Sequence, residues 1–62
     1  MTNYSKSELE EASRSIISTL NKCQKSFEKL AEGTPQYTLM KRRIKALEIS
    51  LQLIENELSK FI

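Results

Sequence analysis

Apolar residues in the second half of the chain recur at alternating steps of three and four: Tyr37, Met40, Ile44, Leu47, Leu51, Ile54, Leu58 and Phe61. That rhythm is a heptad seam, the mark of a helix with one face laid against another helix. The first half answers with Leu9, Ala12, Ile16, Leu20, Cys23, Phe27 and Leu30, a stripe displaced slightly at the step from Ile16 to Leu20. Gly and Pro occur once each, at Gly33 and Pro35, and they divide the 62 residues into two segments of similar length. The pattern predicts two helices and a single joint.

Local signals place the ends. Ser5 followed three residues later by Glu8 forms a capping box, with Tyr4 and Leu9 at the flanking positions of a hydrophobic staple. Glu8, Glu10 and Glu11 fall in the first turns, where the helix dipole favours negative charge. Gly33 suits the left-handed residue after a helix, Thr34 caps the next one, and Pro35 fits its first position, where no amide donor is missed. The expected architecture is all-α: one helical hairpin over residues 1–62, with a first helix at about 6–32, a tight turn at 33–34 and a second helix at about 35–61. So short a joint forces the helices antiparallel. Folding there sets Leu30 against Tyr37, Phe27 against Met40, Cys23 against Ile44, Leu20 against Leu47, Ile16 against Leu51 and Leu9 against Leu58. Each layer is apolar on both sides.

The second helix carries more apolar side chains than one neighbour covers. Leu39, Ala46, Ile49 and Leu53 lie off the seam on an adjoining face, and Ile17 and Ala31 widen the stripe of the first helix. Clustered apolar residues at helical spacing fit a further helix contact. With one Cys and no His, a single copy has neither an internal disulfide nor a conventional zinc site to stabilise so small a chain. The expectation is a homodimer in which two hairpins form a four-helix bundle.

Catalysis finds no footing. Cys23 is the one nucleophile of note, no His accompanies it, and it falls on the apolar seam, where it reads as a small hydrophobe. Two helices offer no pocket for paired carboxylates, so no catalytic, cofactor-binding or metal-binding residue is expected. No run of apolar residues approaches the length of a membrane span. The first five residues lack a basic start and an apolar run, and a solitary thiol suits a reducing compartment, so the expected location is cytoplasmic.

The formal net charge of +2 conceals a sorting of charge along the hairpin. Lys22, Lys25, Lys29, Lys41, Arg42, Arg43 and Lys45 gather toward the joint against Glu28 and Glu32. Toward the open end, Lys6, Arg14 and Lys60 face Glu8, Glu10, Glu11, Glu48, Glu55 and Glu57. Two copies of such a chain attract head to tail. Lys41, Arg42, Arg43 and Lys45 spread around the helix circumference, and no aromatic residue is interleaved to stack on bases. The functional expectation is therefore a non-enzymatic hairpin that self-associates and serves as a protein–protein interaction or regulatory module. The alternative is a small nucleic-acid-binding accessory protein that uses the basic end near the joint.

Overall fold

Ser5 begins the folded chain as anticipated. Its Oγ accepts a hydrogen bond from the Glu8 amide at 3.1 Å, and Glu8 Oε1 accepts one from the Ser5 amide at 2.9 Å. Two amides that the first turn leaves without helical partners are thereby satisfied. The computed structural model describes residues 3–61. Helix α1 runs over Lys6–Phe27 and helix α2 over Pro35–Leu58, and the two pack against each other. Among the described residues there is no strand.

The first helix ends at Phe27 instead of near residue 32. Residues 28–32 contain no helix breaker, and local propensity alone would carry the helix on to Gly33. Closure of the hairpin overrides it. The chain must cross from one helix axis to the other, roughly 8–10 Å away in packed helices. It does so by tightening, with the Lys29 amide bonded to the Ser26 carbonyl and the Leu30 amide to the Phe27 carbonyl, each at 3.1 Å. These are the three-residue steps of a 3₁₀ turn.

A second turn completes the crossing. The Thr34 amide donates to the Ala31 carbonyl at 3.3 Å, and Gly33, at the third position of this turn, has φ 90°. Glycine is the residue that takes this conformation without a Cβ penalty. Thr34 Oγ1 donates to the Ala31 carbonyl at 2.7 Å and accepts from the Tyr37 amide at 3.2 Å. One hydroxyl thus closes the turn and caps α2. Pro35 occupies the start of that helix, as its missing amide requires.

The predicted seam is the buried side of both helices. Ala12, Ile16, Leu20, Cys23, Phe27 and Leu30 on one arm of the hairpin are half-buried, as are Tyr37, Met40, Ile44, Leu47, Leu51, Ile54 and Leu58 on the other. Phe61 is the exception. Helix α2 stops at Leu58 instead of near residue 61, the chain leaves through a turn in which the Phe61 amide meets the Leu58 carbonyl, and the ring stays 41% exposed. At the joint, the ring of Phe27 packs on Tyr37, one turn earlier along α2 than the Met40 expected from a fold at residues 33–34. The longer connection accounts for the shift, since it moves the fold-back point toward residue 32.

Burial is shallow throughout. Leu9, at 9% exposure, is the only buried hydrophobic residue among those described. The hairpin measures 44 × 20 × 15 Å, and a body one helix thick shields each seam residue from one side only.

Candidate functional site

The apolar surplus of α2 remains at the surface. Leu39, Ile49 and Leu53 are 50%, 51% and 60% exposed, and Ala46 is exposed between them. At 3.6 residues per turn, the centre of this strip lies roughly 140° around α2 from the centre of the seam. The strip therefore faces away from α1, where the sequence pattern had placed it on an adjoining face. Ser50 bridges the two surfaces. It is half-buried, and its Oγ donates to the Ala46 carbonyl at 2.8 Å, so its donor is satisfied within the helix. A hydroxyl bonded in this way can be covered by an apolar neighbour without losing its partner.

On α1, Ile17 is 43% exposed and stands apart from the strip, with Ala31 exposed in the connection. Thr19 Oγ1 is likewise bonded inward, to the Ser15 carbonyl at 3.0 Å. Cys23 is a free thiol, half-buried on the seam.

All seven basic residues near the joint, Lys22, Lys25, Lys29, Lys41, Arg42, Arg43 and Lys45, are exposed. The fold brings only part of the set together. Lys41 and Lys45 share one flank of α2 and border an open groove with Gln24, Phe27, Ile44 and Glu48. By helical rotation, Arg43 lies on the opposite flank and Arg42 toward the apolar strip. Among the described residues the one ion pair is Lys60 Nζ to Glu57 Oε1, at 2.8 Å and exposed. None of the seven cations near the joint is held by a carboxylate there.

A second groove opens at the other end and on the other flank, lined by Tyr4, Glu8, Leu9, Glu11, Ala12 and Ile54, with a volume of about 510 Å³. Sequence periodicity did not reveal either groove, because each draws its walls from both helices. The Tyr4–Leu9 staple was the one advance sign of the second. In this groove the carboxyl of Glu8 is held below the usual carboxylate range, first by the Ser5 amide that donates to it and then by the Ser5 hydroxyl.

Among the described residues no group of three His, Cys, Asp or Glu side chains is placed to hold a metal ion. No described helix is long and apolar enough to cross a membrane. Comparison with protein families, with curated proteins and with solved structures returns no match for this chain.

Proposed function

We propose that this protein is a non-enzymatic interaction module that self-associates, as a homodimer of four helices, through the outer face of α2. One observation carries the reading: among the described residues the hairpin buries a single apolar residue, Leu9, yet leaves Leu39, Ile49 and Leu53 half or more exposed along one helix. Small domains without disulfides or metals commonly gain the missing burial by oligomerising. A regulatory role, a cytoplasmic setting and a further protein partner at the basic end belong to the same proposal. Sedimentation equilibrium at micromolar concentration tests it. The expected mass is twice that of the chain, and a fully helical monomer refutes the reading.

The basic end supports a second reading, binding of a nucleic-acid backbone. Its favouring observation is that Lys22, Lys25, Lys29, Lys41, Arg42, Arg43 and Lys45 are all exposed and free of ion pairs among the described residues. Such binding weakens steeply with salt as counterions are released. Titration of duplex and single-stranded DNA at low and moderate salt decides it, and absence of retention at low salt removes it. The self-association reading ranks first because the cations are spread over several faces of the hairpin.

A further inference from the structure

Resting on the self-association reading, we infer that the occupant of the outer face of α2 is the α2 of a second copy. The two run antiparallel, with a dyad between Ile49 and Ser50, and the four helices form a shallow layer in the order α1, α2, partner's α2, partner's α1.

Three observations converge on this arrangement. The first is direction. Helix α2 carries Lys41, Arg42, Arg43 and Lys45 in its first half and Glu48, Glu55 and Glu57 in its second. Parallel copies would set the cations side by side; antiparallel copies set them beside carboxylates and also oppose the helix dipoles.

The second observation is register. A dyad between Ile49 and Ser50 places Ala46 against the partner's Leu53 and Leu39 beside the partner's Phe61. Arg42 then approaches the partner's Glu57. The exposed large apolar residues of α2 and its exit, Leu39, Ile49, Leu53 and Phe61, are all covered at once. A dyad at Ala46, nearer the middle of the helix, would set Ile49 against the partner's Arg43 and leave Phe61 uncovered. The Ser50 hydroxyl at the centre is already bonded to the Ala46 carbonyl, so closing the interface over it strands no donor.

The third observation is the angle between the two faces. Neighbours in a square four-helix bundle contact a helix on faces about a quarter-turn apart. Here the strip and the seam stand roughly 140° apart. A partner on the strip therefore extends the hairpin sideways, and each α2 becomes an inner helix of a row.

Cross-linking and scattering test the inference. In a Cys23→Ala background, Ser50→Cys brings two Cα atoms across the dyad to about 6 Å, within disulfide range, for helices about 9 Å apart. Ala46 and its symmetry mate are seven residues apart along the axis, about 10 Å, beyond that range. The expected result under mild oxidation is a covalent dimer from Ser50→Cys, none from Ala46→Cys alone, and a covalent dimer when Ala46→Cys and Leu53→Cys chains are mixed. Self-linking of Ala46→Cys would show either parallel helices or a dyad at Ala46, and would overturn the inference in both cases. So would failure of Ser50→Cys to link while the protein sediments as a dimer, although self-association itself would then stand. A monomeric mass removes both.

Scattering from the unsubstituted chain provides a check independent of any substitution. Adding a second copy to a hairpin whose Cα radius of gyration is 14.1 Å gives about 17 Å for the layer and about 15 Å for a square bundle, with helices 10 Å apart. A value near the smaller figure overturns the layer.

Discussion

The ring centroids of Phe27 and Tyr37 lie 4.6 Å apart with their planes tilted by 33°. Phe27 is the last residue of α1 and Tyr37 belongs to the first turn of α2, so this contact ties the two helix ends across the connection. Tilted aromatic pairs at this distance contribute beyond the area they cover.

Phe27→Ala is expected to destabilise the hairpin by about 2 kcal/mol, below the ~3–5 kcal/mol of a fully buried aromatic because both rings are only half-buried. Tyr37→Phe keeps the ring and should fall within about 0.5 kcal/mol of the parent. Urea unfolding followed by circular dichroism at fixed protein concentration separates the two. Equal losses from both variants would mean that the tyrosine hydroxyl matters as much as the Phe27 ring at the joint.

The capping box makes helix stability depend on acid. The Glu8 pKa is lowered in the folded chain by the Ser5 hydrogen bonds, so its contribution is fully present above the unfolded glutamate value, 4.5, and is lost as the pH falls through the lower folded value. Glu8→Gln retains a side chain able to accept from the Ser5 amide but does not titrate. Circular dichroism titrated from neutral to strongly acidic pH should show a smaller loss of thermal stability for this variant than for the parent. Ser5→Ala, which removes the reciprocal bond, is expected to cost about 1 kcal/mol at neutral pH.

Gly33 has open space where a Cβ would stand, with nothing within 4 Å, so the obstacle to a side chain there is its φ of 90° alone. Gly33→Ala is expected to cost about 1–2 kcal/mol, and Gly33→Asn less, because asparagine tolerates positive φ better. Chemical denaturation of both variants ranks them. Parity between alanine and the parent would show that the turn relaxes to another conformation.

Leu53→Glu is expected to weaken self-association by about a hundredfold, since an unpaired charge in a covered apolar face costs on the order of 3 kcal/mol. Ile17→Glu, on α1 and also exposed, should leave the dimer mass unchanged. Sedimentation equilibrium over a range of concentrations compares them. Dissociation by the Ile17 variant alone would move the interface to the other helix.

Much of the fold was legible because its signals are local. Ser5, Glu8, Thr34 and Pro35 act on amides within a few residues of themselves, and all four take their expected places at the helix starts. The seam was legible as well, because covering one face of a helix imposes the 3.6-residue period on composition. The end of α1 was not. Glu28, Lys29, Leu30, Ala31 and Glu32 are compatible with a helix by propensity, and only the need to bring Tyr37 over Phe27 turns the chain there. The grooves at the two ends also escaped the sequence pattern, since Ile54 comes to line one groove with Leu9, and Lys41 the other with Phe27, only through pairing of distant segments.

By itself, then, the order of residues determined two capped amphipathic helices, their joint and the side chains that face inward, all consequences of interactions spanning a turn or so of chain. The tertiary structure decided where the first helix stops, that Phe61 leaves the seam, and how little a lone pair of helices buries. Those features depend on the distance between axes and on which sides of each helix have a neighbour, and no local pattern of residues encodes either.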